Sequence, residues 1–407
     1  MKQSFRLRPI VLALLAGVST ASQAVSFTHN DVTVDINGTI NGFYVNREAK
    51  STNRATGAST TTNNSELTNG LLPGWINFVV TTQAKGQDIK AHISFAPGIN
   101  NNSQVVGLPI GNNAGGAGTV DPYSQIDTRN VYFQFGNNDW GTLKFGRDIG
   151  LFGQHIILSD MTLLGVGGTS NAGIPYNTTF GMIGHGYMYT GFQPQITYTT
   201  PNLGGFQASA GIFQPSKFAG DETKTPGFQA IASYDWKGGA ASGKLWAGGV
   251  SQSTSCSVNP CATKSFTATG YELGAKAGIG NFEAVAYAFS GSGLGLSTVG
   301  AQFFGGSDGA GSKTQSQGYF LQGTYKFGDT KVGVNFGENK DKKGFALTGA
   351  GSPNSIKNRA YTLGVYHSLN KYVTLVGEFN DERVTNVVDS NFDNKNRTLS
   401  FGGLIFF

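Results

Sequence analysis

Five histidines, two cysteines and sixty glycines are the residues of this 407-residue chain from which chemistry could be built. His29, His92, His155, His185 and His367 fall in separate segments. None belongs to a recognisable serine, histidine and aspartate grouping of the kind a nucleophilic hydrolase needs. Cys256 and Cys261 stand in "CSVNPC" with no further cysteine and no nearby histidine to complete a metal site. In an exported chain, four residues between two cysteines predict a small disulfide clipping a loop tip. The glycine runs "GGAGT" and "GAGS" neither follow a strand nor open a helix, so they do not cradle a phosphate. The residues thus imply no metal and no cofactor, and they point away from an enzyme. What the chain offers instead is a pattern.

The first 24 residues form a unit of their own. Lys2, Arg6 and Arg8 precede an apolar run from Pro9 to Val18, and Ser22-Gln23-Ala24 offers a small-residue cleavage site, which reads as a secretory signal peptide. The run is too short to cross a bilayer, which takes roughly 20 residues. A mature part, 25–407, would lose three cations from a formal charge of +5 and keep +2. That near balance gives no reason to expect nucleic acid as a partner. No later stretch is apolar for 18 residues, so membrane-spanning helices are excluded. With 29 phenylalanines, 15 tyrosines and only 13% charged residues, the composition favours strands and turns. No linker divides it, and 25–407 is expected to be one domain.

Strand-like alternation recurs along the whole length. In "VTVDINGTINGFYVNR", Val32, Val34, Ile36 and Ile40 share one face, and Thr33, Asp35, Asn37, Thr39 and Asn41 the other. In "IKAHISFA" the outward set is Ile89, Ala91, Ile93 and Phe95, opposed by Lys90, His92 and Ser94. The final "NRTLSFGGLIFF" sets Leu399, Phe401, Ile405 and Phe407 on one face. Sixteen such segments are separated alternately by seven short turns and eight long polar loops. Their second face carries Lys90, Gln207, Glu272, Lys276, Gln322 and Lys326, which would be costly to bury dry and must meet water. A sheet with lipid on one face and water on the other has to close, because an open edge in hydrocarbon leaves backbone groups unpaired. The expectation is an all-β protein, a 16-stranded antiparallel transmembrane β-barrel around an aqueous channel, with long loops on one side and short turns on the other.

At this point the chain resembles the general porins of Gram-negative outer membranes, in their β-proteobacterial form. The resemblance rests on the signal peptide, the opening "VDINGTINGFY", the turn and strand "GNNDWGTLKFGRD" and the terminal Phe407. It implies passive diffusion of small hydrophilic solutes across the cell outer membrane. It also implies extracellular long loops, periplasmic turns, a homotrimer, contact with outer-membrane lipid and lipopolysaccharide, and Phe407 as the signal to the assembly machinery. The family folds its third loop into the barrel, where loop acids face wall bases. Here that loop is Gly150 to about Tyr189, and its "HIILSDMTLLGVGG" is far more apolar than a surface loop needs to be. The resemblance makes Asp160 of "SDM" the loop acid and Arg147 of "GRD" the first wall cation. Arg129, Lys90 and a titrating His185 complete the expected constriction, although Arg129 shares its parity with outward Val131 and Phe133. Leu163, Leu164 and Gly165 occupy the place of a second acid, so a weak anion preference is expected. A channel specific for a sugar, phosphate or aromatic acid is the alternative reading.

Overall fold

The period-two segments form the strands expected of them. The protein is described from a computed structural model that covers residues 25–99, 126–169, 178–215, 221–256, 265–294, 313–342, 355–386 and 392–407. The signal segment and Cys261, and with it the expected disulfide, lie outside the described residues. Strands β1 (Val32–Asn53), β2 (Trp75–Ala84), β3 (Gln87–Pro97), β4 (Val131–Asn137) and β5 (Gly141–Ile149) build one side of the wall. They are followed by β6 (Phe192–Thr199), β7 (Phe206–Phe213), β8 (Gly227–Gly238), β9 (Ala241–Cys256), β10 (Phe266–Ile279) and β11 (Phe282–Ser292). The circuit ends with β12 (Gln315–Phe327), β13 (Thr330–Lys342), β14 (Ser355–Ser368), β15 (Val373–Asn386) and β16 (Phe392–Phe406).

Each strand pairs antiparallel with the next, and β16 returns to β1 with Phe401 opposite Tyr44 and Ile405 opposite Ile40. The cylinder is therefore closed, and no edge is left in hydrocarbon. Short turns use backbone conformations that their residues allow: Lys85 (φ 49°) and Gly86 (φ 74°) turn β2 into β3, a left-handed pair that matches strand twist. Alternation then sorts the side chains. On β16, Leu399 and Phe401 are 59% and 60% exposed, whereas Ser400 is 3% exposed. The apolar set faces outward and the polar set inward, as the sequence pattern requires. Phe407 continues past β16, exchanging backbone hydrogen bonds with Gly38.

One segment expected as loop is instead a strand. Ser59–Thr68, "STTTNNSELT", pairs with the far end of β1, placing Glu66 opposite Val45 and Thr60 opposite Ser51. Its threonines favour extended backbone, but both of its faces are polar, so no alternation betrayed it. Three shorter pieces, Val25–His29, Ile126–Asp127 and Asp221–Glu222, also add to the sheet.

The apolar core lies inside the cylinder rather than between layers. The segment after β5 runs through a short helix α1 (Gln154–Ile157) and a 3-10 turn (Met161–Leu164) before returning to β6. Its Phe152, Ile156, Met161, Val166, Met182 and Tyr187 are buried against Phe213, Trp246, Tyr287, Phe320 and Val376 of the wall. A third loop this apolar has found its cover within the barrel.

Candidate pore and constriction

The third loop is held to the wall by inward side chains that accept its backbone N–H groups. Gln229 of β8 accepts from Leu151 (2.8 Å) and Phe152 (3.0 Å), and Glu272 of β10 from Gly153 (2.9 Å). Gln322 of β12 accepts from Met161 at 2.7 Å, and Asn339 of β13 from Gly186 at 2.9 Å. On β15, Glu378 Oε2 accepts from both Val166 and Gly167 at 2.7 Å, and Glu382 accepts from Thr169 at 3.2 Å. Irregular backbone at membrane depth is tolerable only when protein satisfies it in this way. Tyr287 and Tyr366 donate their hydroxyls to Glu272 (2.8 Å) and Glu378 (2.5 Å), which fixes both carboxylates. The approach is close enough that a Cβ on Gly165 would fall 2.1 Å from Glu378 Oε1.

These anchors run from β8 to β15, and Arg47 of β1 adds a hydrogen bond to the Thr169 carbonyl at 3.0 Å. The loop thus lines most of the circumference, while β3, β4 and β5 keep a separate inward surface. There Lys90, Gln134 and Lys144 stand directly opposite one another on three neighbouring strands. The two ammonium groups lie 5.6 and 4.8 Å from the centre of the Tyr132 ring, one rung above. Lys144 also pairs with Asp148. His92 and Asn77 bond at 3.0 Å on the same wall.

The five expected constriction residues are not brought together. Lys90 alone occupies an inward rung of the β3–β5 surface. Arg147 pairs across β4 with Val131, which is 43% exposed, and shares its parity with Phe145, so alternation turns it to the outward set. Its Nε donates to the Thr128 carbonyl at 3.1 Å. Arg129 is taken up by Asp127 at 3.0 Å and lies 5.5 Å from the Trp75 ring and 5.6 Å from the Phe192 ring. Trp75 is thus one of its two aromatic partners.

Asp160 is 3% exposed and turned into the loop itself. It accepts from the Thr162 N–H (2.9 Å), the Tyr187 hydroxyl (2.7 Å) and the Asn335 amide (3.3 Å). Burial pushes its pKa up against those bonds, and the Tyr187 hydroxyl is pushed up likewise. Asp160 therefore organises the loop's fold and is not exposed on the lumen side. His185 is 2% exposed, its Nε2 3.6 Å from Glu382, beyond hydrogen-bond range. Burial pushes its imidazole down, against the opposing pull of Glu382. His155, against Trp246, is pushed down to about 3 by burial and, secondarily, by Lys244.

Sequence reasoning missed Glu378, Glu382, Gln229 and Lys144. Glu272 and Gln322 stood out only as inward polar residues. Their task is invisible locally, since each accepts from a backbone group more than 75 positions away. Among the described residues no group of histidine, cysteine and carboxylate side chains could hold a metal ion.

The profile of a family described as Gram-negative porin matches residues 10–386. No curated protein matches the chain. Among solved structures it is similar to the outer membrane channel DcaP of Acinetobacter baumannii, at 14% identity and TM-score 0.61, over 94% of this chain and 100% of that one. It is also similar to OmpT, an outer-membrane protein of Vibrio cholerae, at 12% identity and TM-score 0.55, over 94% and 100%. Salmonella typhi OmpF in complex with daunomycin matches at 12% identity and TM-score 0.55, over 93% and 100%.

Proposed function

Because this chain belongs to the Gram-negative porin family, we propose that its barrel is a trimeric, water-filled path for small hydrophilic solutes with a mild preference for anions. It is an outer-membrane channel; the selectivity, the solutes and the assembly are the proposal. Passive diffusion needs no catalytic group, which agrees with a site made of anchors and wall charges.

The observation that carries the selectivity is the fate of the inward carboxylates. Asp160, Glu272 and Glu378 accept hydrogen bonds from the third loop or its wall tyrosines, and all three are buried. Lys90 and Lys144, in contrast, flank Tyr132 on the wall of β3–β5, which carries none of the loop anchors described above, with Asp148 as the carboxylate beside them. A ring of side chains with an excess of one sign biases the ions that pass. Replacing Lys90 and Lys144 together by serine is expected to move the reversal potential in a salt gradient toward cation preference. An unchanged reversal potential would remove both lysines from the selectivity path, and clear cation preference in the wild type would remove the anion preference itself.

A trimer is supported by the low wall on the same side. β4 has seven residues and β5 nine. Seven residues at about 3.3 Å each and a tilt near 40° give about 18 Å of height, short of an apolar band about 25 Å tall. Outside that low wall, Phe133 and Phe145 stack at 5.2 Å and Phe135 lies 6.2 Å from Phe145. Such an aromatic patch suits the flank of a neighbouring copy. The outer-membrane assembly machinery, reading Phe407, is a further proposed partner. The substrate-specific alternative is disfavoured by the loop's aromatic residues: Phe180 and Tyr187 are spent in the core, not offered to the lumen.

A further inference from the structure

We propose that the inner wall of the barrel's long-loop mouth carries a pocket for an acidic sugar, a small polyol bearing a carboxylate. The proposal rests on the outer-membrane porin reading and adds a solute class to it.

Strand register builds the pocket from five neighbouring segments. On one rung Ser51 of β1 stands between Thr60 of the strand Ser59–Thr68 and Asn394 of β16, and Val384 of β15 and Asn358 of β14 continue the row. On the next inward rung toward the short turns, Ala49 stands between Thr62 and Asn396, and below it comes Arg47. These positions share their parity with Val45, Thr398 and Ala360, which are 1–2% exposed and inward. Lys395 and Arg397 alternate with them on the outer face. The pocket therefore opens into the mouth of the channel and not toward lipid.

Its concavity has a simple origin. Ala49 and Ser51 put short side chains at the centre, while amides and Arg47 stand around them, and the space left is about 410 Å³. That lies within the range of small-molecule sites, which are mostly lined by apolar groups. Here only Ala49 and Val384 are apolar.

The lining selects the ligand. Three asparagine amides and the hydroxyls of Ser51, Thr60 and Thr62 supply both donors and acceptors, which is what the hydroxyls of a polyol require. Arg47 and Lys50 are the charged residues that border the space, and no carboxylate does. Glu382, on the rung of Asn396, is turned to the Thr169 N–H and to His185 instead. Arg47 gives one Nη to the Thr169 carbonyl at 3.0 Å, yet its Nε is buried with no hydrogen-bond partner among the described residues. A buried donor left unpaired is costly and calls for an acceptor. A carboxylate oxygen makes the stronger, charge-assisted bond there. Water competes for each of these polar groups, so binding is weak. The occupant sits at the wall, beside the diffusion path rather than across it.

The test is saturation-transfer NMR of the detergent-solubilised barrel titrated with glucuronate, glucose and acetate. The wild type is expected to bind glucuronate about tenfold more tightly than either of the others. Ala49→Leu, which fills the space, and Asn396→Asp, which sets a carboxylate in it, are each expected to weaken glucuronate about tenfold. The aspartate variant should keep its glucose binding, which shows that it is folded and that charge is the cause. Equal binding of glucose and glucuronate would overturn the acidic ligand, and equal binding of acetate would overturn the sugar. Unchanged glucuronate binding in either variant would overturn the pocket as its place. Single-channel conductance of the same wild-type preparation separates this claim from the channel itself. A conducting barrel with no preference for glucuronate loses only the pocket, and one that binds glucuronate without conducting loses only the pore.

Discussion

Replacing Glu378 by alanine is expected to raise the mean single-channel conductance and to make the open channel noisy. Its Oε2 holds the Val166 and Gly167 N–H groups, and its Oε1 the Tyr366 hydroxyl. Each is a buried donor, and leaving such donors unpaired costs roughly 1–3 kcal/mol apiece. Allowing for non-additivity, the middle of the third loop should lose about 3–5 kcal/mol of attachment to β15. That is enough to let it leave the wall for part of the time. Glu378→Gln retains an oxygen acceptor at the same place and should stay close to wild type in noise. Planar-bilayer recordings decide the matter, and an alanine variant as quiet as wild type would show that the loop does not depend on this anchor.

Gly337→Val is expected to act in the opposite sense, by pushing the loop into the lumen. A Cβ at this position of β13 would stand 2.0 Å from the His185 carbonyl oxygen and 2.8 Å from the Gly186 Cα. Both obstacles are backbone, so no side chain can swing away, and overpacking of this kind costs typically 1–3 kcal/mol or more. The wall is fixed by its ladder, so the loop must yield. Conductance should fall, with the barrel still closed and folded. Gly377→Ala on β15 is the control, since nothing lies within 4 Å of its Cβ. If the valine variant conducts as the wild type does, the described approach of loop to wall is not the one that sets the pore.

The barrel was legible because its physics is local. Lipid on one face and water on the other imposes a period of two, which Leu399, Ser400 and Phe401 display without reference to any other residue. The inward packing of the third loop could also be read, because Ile156, Ile157 and Leu163 have no business on a wet surface. The polar strand Ser59–Thr68 was missed for the converse reason: it stands where neither of its faces needs to be apolar.

The constriction was less legible, and particular residues show why. Arg147 follows a glycine in a motif that resembles the family's, yet its parity with Phe145 and its pairing with Val131 turn it outward. Asp160 looks like a loop acid until Tyr187, 27 positions later, and Asn335 close over it. The acids that matter to the loop, Glu272 and Glu378, look from their own strands like any other inward polar residue. Lys144 could have been found, since its parity with Gly146 and Asp148 places it inward, one strand across from Gln134 and two from Lys90.

The most direct test of the account is single-channel conductance of the refolded protein in a planar bilayer, measured over a series of potassium chloride concentrations. A water-filled trimeric channel predicts conductance that rises in proportion to salt, closes in three equal steps and is not blocked by added solutes. Conductance that saturates, or that one solute blocks at low concentration, would contradict it and replace the diffusion path by a binding site within the lumen.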